Sequence, residues 1–76
     1  MSRLTPQHWR TLERVFMRAG FKLVRQASSH LVYEKPEVLR PVIIPKYDEV
    51  DPSIISGLLR TANMTRAEYL RLLKDC

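Results

Sequence analysis

Two imidazoles, His8 and His30, are the only side chains in this sequence of 76 residues whose ordinary pKa, about 6.5, lets them trade a proton near neutrality. His30 has the more telling neighbours. It follows Ala27-Ser28-Ser29, a small polar break, and precedes the apolar run Leu31-Val32-Tyr33. It therefore stands where a turn opens into a strand and a backbone can approach a ligand closely. Arg25 and Gln26 lie just before the break, and a short turn folds them back beside it. Arg25 and the hydroxyls of Ser28 and Ser29 could hold a phosphate and present the imidazole to a ribose 2′-OH. Histidine-assisted attack of that hydroxyl on the neighbouring phosphate cleaves RNA by general acid–base catalysis, with no metal, and spares DNA. The competing reading is a strand histidine with a structural role. From spacing alone, one ring in a basic neighbourhood is weak support for catalysis.

Other chemistry finds less to work with. His8 is expected in the first turn of a helix, exposed and ordinary, where the positive helix end disfavours its cation. Gly20 and Gly57 are the only glycines, so there is no glycine-rich phosphate loop. Ser28 and Ser29 are too close to His30 in sequence to build a nucleophilic triad, because adjacent strand residues point to opposite faces. Asp48, Glu49 and Asp51 form the only acidic cluster, and Asp51 is better used as a helix cap. Neither a metal nor a cofactor is expected. Cys76 is the only cysteine, which excludes an internal disulfide and a zinc site built of cysteines.

Charge and size narrow the class. Thirteen basic against eight acidic side chains leave a formal net charge of +5, and the pI is about 9.9. That balance points to nucleic acid or another polyanion. Length allows a single domain, 1–76, and the 45% hydrophobic content suffices for a small core. No apolar run approaches the roughly 20 residues of a membrane-spanning helix. Met1-Ser2-Arg3-Leu4-Thr5 lacks the apolar core of a signal peptide, so a cytoplasmic location is expected.

The elements that must position His30 are legible as periodicities. Thr5-Pro6 reads as a helix start, with Trp9, Leu12, Val15, Phe16 and Ala19 at helical spacing and Gly20 as the stop. Arg10, Arg14 and Arg18 fall four apart on the other face, either a solvated surface or a rail for phosphates. Phe21–Gln26, Leu31–Tyr33 and Val42–Ile44 read as three strands of an antiparallel meander, the last closed by Pro45. Asp51-Pro52 starts a helix carrying Ile54, Ile55, Leu58, Leu59 and Ala62. Gly57 inside it suggests close packing against another backbone, or simple tolerance. Asn63 is the stop, and Thr65-Arg66-Ala67-Glu68 fits a capping box that opens a last short helix. The fold class is α+β, a two-layer sandwich of helix, three antiparallel strands and helix, with both main helices on one sheet face.

With these elements in place, the stretch from Phe21 to Tyr33, FKLVRQASSHLVY, resembles the central motif of the HicA-type toxins of bacterial toxin–antitoxin modules. That motif follows an alanine-glycine helix end, here Ala19-Gly20, with an apolar strand, Arg-Gln, a small turn and Ser-His before another apolar strand. The later PKYDEVDPSIISGLLRTANMTRAEYLRLL resembles the family's closing helix and tail, so the likeness spans nearly the whole chain. It implies a fold similar to double-stranded-RNA-binding domains and a ribonuclease that cuts mRNA. It implies that His30 is the active-site residue and that a HicB-type antitoxin covers it. Arg25, Gln26, Ser28, Ser29 and Lys46 would then position RNA, with Arg10, Arg14 and Arg18 attracting it from further away. Two positions depart from the family pattern. Ser28 replaces the usual glycine before Ser-His, and Lys46-Tyr47 stands where a second histidine is common. The acid that protonates the leaving group is thereby left unidentified; water could serve, as could Tyr47 or Tyr33. The alternative function is an RNA-binding module of the same fold without catalysis.

Overall fold

The computed structural model describes residues 4–75; Cys76 and the first three residues of the stretch read for a signal peptide lie outside them. The elements are α1 (Trp9–Arg18), β1 (Lys22–Gln26), β2 (His30–Glu34), β3 (Val42–Pro45), α2 (Pro52–Thr61) and α3 (Arg66–Lys74). The strands form one antiparallel sheet in the order β1-β2-β3. This is the expected α+β architecture, with the short last helix packed against α1. Among the described residues no helix is long and apolar enough to cross a membrane.

Alternation along β2 and β3 sorts the sheet into two faces. Leu31, Tyr33, Val42 and Ile44 point to the helices and are almost fully buried. They meet Leu12, Val15 and Phe16 of α1, Ile55, Leu58 and Leu59 of α2, and Tyr69 of α3 in one core. Burying each such side chain contributes about 1.5–3 kcal/mol, so the sheet is held against the helices chiefly by this layer. A polar clip adds to it: the Tyr33 hydroxyl donates to the Glu13 carboxylate on α1.

The helix ends follow local rules. Gly20, at φ +100, ends α1. Its N–H donates to Met17 O at 3.0 Å and that of Phe21 to Phe16 O at 3.0 Å. This is the paired bonding of a Schellman cap, and the Phe16 and Phe21 rings close it edge to face at 5.6 Å. Asn63, at φ 57, ends α2 in the same way, with Met64 N donating to Leu59 O at 2.9 Å. Asp51 caps α2 and Thr65 caps α3, as expected, through bonds to Ser53 N and Glu68 N. The Ser53 hydroxyl and amide hold the Asp51 carboxyl below its usual range.

Two expectations need correction. Helix α1 does not start at Thr5-Pro6. Gln7 instead pairs with Val50 as an isolated antiparallel bridge, and His8 is the cap, its Nδ1 accepting from Arg10 N at 3.1 Å. The segment before α1 thus joins the β3–α2 connection as a short ladder, which outcompetes an early helical turn. Gly57 does not pack against a backbone either. It is exposed, and a Cβ built there would meet nothing within 4 Å.

The two glycines should therefore respond oppositely to alanine. Gly57→Ala should raise stability by about 0.5–1 kcal/mol, a few degrees in Tm. Gly20→Ala, forced into a left-handed backbone with a Cβ 3.3 Å from Lys35 Cε, should lower it by more than about 1 kcal/mol. Thermal melts of the three proteins followed by circular dichroism check both signs.

Candidate functional site at the rim of the sheet

His30 opens β2, directly after the β1–β2 turn. Ala27 N donates to His30 O at 2.9 Å, so Ser28 and Ser29 are the two central residues of the turn. Neither has positive φ; the turn is not one of the primed types that keep strands tightly paired, and unprimed turns splay them. Ser28 therefore takes the place of the family's usual glycine without a left-handed backbone. Every residue from Lys22 to His30 is exposed.

The imidazole is held at one nitrogen and open at the other side. Ser29 Oγ lies 2.9 Å from His30 Nδ1. When Nδ1–H donates to that oxygen, the Nε2 lone pair is left to accept a proton. His30 pairs with Pro45 and alternates with the buried Leu31, so its ring projects on the face away from the helices. Arg25 pairs with Val32, two residues along β2, and so shares that face. A bulge at Val24, between the paired Leu23 and Arg25, sets this phase. Gln26 pairs with Leu31 and belongs to the opposite face. The expectation that it folds back beside the imidazole with Arg25 is corrected by that register.

Lys46 comes near by a different route. Its N–H donates to Ser29 O at 2.9 Å, tying the end of β3 to the turn that carries His30. Its ammonium, however, lies 5.7 Å from the centre of the Trp9 ring. Arg10 also sits on that ring, its Cζ at 5.1 Å. Trp9 N donates to Tyr47 O at 3.2 Å, so the start of α1 is laced to the same loop. Arg14 and Arg18 are exposed one and two turns further along, roughly 6 and 12 Å of helix rise from Arg10. The arginine row therefore starts at the rim and runs away from it.

Sequence reasoning passed over Trp9 and underrated His8. His8 stacks on Trp9 with ring centres 5.7 Å apart, and its Nε2 is 3.6 Å from Asp48 Oδ1. The signal was the triplet His8-Trp9-Arg10, an aromatic ring between two basic groups. Of the hydroxyls weighed as acids, Tyr33 is fully buried on the helix-facing side and bonded to Glu13. Burial and that carboxylate push its pKa up, away from any role as a proton donor at the rim. Tyr47 is half-exposed. A groove of about 410 Å³ lies at the other end of the sheet between Lys22, Glu34, Val38 and Leu39. His30 is thus on open surface, where a polymer has access.

These features define a small basic α+β domain with an accessible imidazole at one rim of its sheet. A family model for the HicA toxin of bacterial toxin–antitoxin systems matches residues 9–64, about three quarters of the length, and the chain belongs to the HicA toxin family. Membership implies an antitoxin partner. No curated protein and no solved structure matches it.

The Tyr33 clip has a pH signature. Its pKa is raised above the ordinary 10.0, so its contribution to stability is fully present below about pH 10 and is lost as pH rises toward the folded-state value. Tyr33→Phe should cost about 1.5–3 kcal/mol at pH 7 and should flatten the alkaline loss of stability. Urea unfolding of both proteins between pH 7 and 11 checks this; parallel curves would contradict it.

Proposed function

We propose that this chain is the toxin of a type II toxin–antitoxin pair, a metal-independent endoribonuclease that cleaves mRNA and blocks translation. The observation that carries the reading is the exposed His30 imidazole, 2.9 Å from Ser29 Oγ, on the uncovered sheet face with Arg25 in a chain of the HicA family. His30 Nε2 takes the proton of a ribose 2′-OH as that oxygen bonds to the adjacent phosphorus. The bond from phosphorus to the 5′-oxygen breaks, and that oxygen takes up a proton from water or from the imidazolium just formed. A 2′,3′-cyclic phosphate and a 5′-hydroxyl remain. Arg25 offsets the phosphate charge, Ser29 orients the ring, and Ser28 lies beside the path of the strand. Lys46, Arg10, Arg14 and Arg18 attract the backbone from the rim and along α1, where their charges are solvent-facing and their pull is screened by salt. Gln26 is left to meet RNA around the turn, on the other face.

The partner is a HicB-type antitoxin, which would silence the toxin by covering His30. Among the described residues His30 is exposed, so a protein that blocks access to one ring is sufficient inhibition.

The deciding experiment uses single-stranded RNA with chelator present. The wild type should cleave it, and His30→Ala, folded by circular dichroism, should be slower by about 100- to 10,000-fold, the usual worth of a positioned acid–base group. A substrate with 2′-deoxyribose at the cleaved position should resist. Binding by both proteins with cleavage by neither would make the chain an RNA-binding module.

A further inference from the structure

The cluster around Trp9 is not explained by packing alone. Trp9 is only partly buried against the core. Two cations from different elements converge on its ring, Arg10 from α1 at 5.1 Å and Lys46 from the end of β3 at 5.7 Å. Like charges repel, so bringing both to one ring carries an electrostatic penalty. Attraction to the indole face offsets part of it, at about 0.5–1 kcal/mol per exposed contact. No carboxylate completes the set: among the described residues the one contact within 4 Å between a basic side chain and a carboxylate is His8 Nε2 to Asp48 Oδ1, at 3.6 Å. His8 is itself fixed, since its Nδ1 accepts from Arg10 N and so its Nε2 carries the proton that faces Asp48. Asp48 is thus directed at His8, and the two full cations keep their donors for something else.

The backbone places this cluster beside the proposed chemistry. Lys46 N is bonded to Ser29 O, and Ser29 Oγ is bonded to the His30 ring. One residue therefore separates the lysine that reaches Trp9 from the imidazole, across a hydrogen-bonded strand pair. His30 and Arg25 lie on the outer sheet face, and Trp9 lies where the sheet end meets α1. A chain running over the rim would pass from one to the other.

We propose that Trp9, with the Arg10 guanidinium and the Lys46 ammonium held on its ring, is a nucleotide subsite for single-stranded RNA next to the one cleaved at His30. Arg10 and Lys46 take the phosphate, and a base packs on the indole where the ring is exposed, displacing the His8 ring or one of the cations from it. The combination of backbone-tracking cations and an aromatic platform is how single strands are bound without sequence readout. This subsite rests on the RNA-cleaving reading for its role, but its test does not need cleavage.

Trp9 is the only tryptophan, so intrinsic fluorescence reports on this site alone. A ten-nucleotide 2′-O-methyl RNA cannot be cut by 2′-oxygen attack and serves as the probe, titrated into the wild type and into His30→Ala. Both should show saturable change of the indole emission that salt reverses. Trp9→Leu should weaken binding, followed by anisotropy of a labelled probe, by about 5- to 150-fold, the range for loss of one stacked base. Because Trp9 touches the core, the pair Arg10→Gln and Lys46→Gln provides a second route. It should keep the fold and lower the slope of log affinity against log salt by about 0.7 per cation removed. Probe binding with unchanged emission and an unchanged salt slope in the double variant would overturn the subsite and leave the nuclease reading intact. An equal emission response to poly-glutamate would overturn it too, in favour of a surface for an acidic protein. A full response in a wild type that cleaves no RNA would keep the subsite and end the nuclease reading.

Discussion

The period of two along β2 is the constraint from which the rest follows. Leu31 and Tyr33 face the helices, where the core cluster that holds the sheet is built. Once they do, His30 is delivered to the opposite face whatever its chemistry, and at the strand's first position it stays exposed. Slipping the strand by one residue would bury the imidazole and expose the Tyr33 ring, exchanging a stable core for an unpartnered polar group. The same rule selects among neighbours. Arg25 joins His30 because it pairs with Val32, and Gln26 does not because it pairs with Leu31. The bulge at Val24 matters here, since it shifts the phase of β1 by one residue and so decides which of the two polar side chains shares the imidazole's face.

A second level of order comes from backbone bonds at the rim. Val50 and Gln7 exchange bonds, Trp9 N reaches Tyr47 O, and Lys46 N reaches Ser29 O. These link the segment before α1, the loop after β3 and the β1–β2 turn into one seam. The seam uses main-chain groups that would otherwise need water or a ligand, and it leaves the side chains of Ser29, His30, Arg10 and Lys46 free of structural duty at their polar ends, apart from the contacts with Trp9 and between Ser29 and His30. A site built this way has its shape fixed by the backbone and its chemistry carried by exposed tips.

Much of the fold was legible because its signals are local. Gly20 and Asn63 stop helices through their own left-handed backbones, and Asp51 and Thr65 cap helices through bonds two and three residues away. Such features depend on a few neighbouring residues and survive any tertiary context. The start of α1 was misread for the opposite reason. Thr5-Pro6 carries the right residue types, but Gln7 finds a partner in Val50, 43 positions on, and only the folded chain brings the two together. Gly57 misled in a similar way, since a glycine in a helix is as readily an open surface position as a close contact. In the site, the position of His30 where a turn opens into a strand was legible from Ala27-Ser28-Ser29, but the bulge that puts Arg25 and not Gln26 on its face was not. Nor was Trp9, because its meaning comes from Lys46, which reaches it from another element.

The openness of the rim bears on what it can act upon. Small-molecule sites surround most of a ligand and hold it by enclosure, whereas His30 stands on exposed surface, and the groove of about 410 Å³ lies at the far end of the sheet from it. A ligand held at an open rim must draw its affinity from many weak contacts spread along its length. Arg10, Arg14, Arg18, Arg25 and Lys46 are spaced to provide them, each a charge on exposed or half-exposed surface. On the proposed RNA-cleaving reading, specificity comes from where the His30 imidazole meets the RNA strand, and the Ser29 contact and the β2–β3 pairing fix that place. On that reading, diffuse attraction along α1 and a single fixed ring at the rim would let a partner silence the chain by covering a few residues, without unfolding anything or filling a cavity.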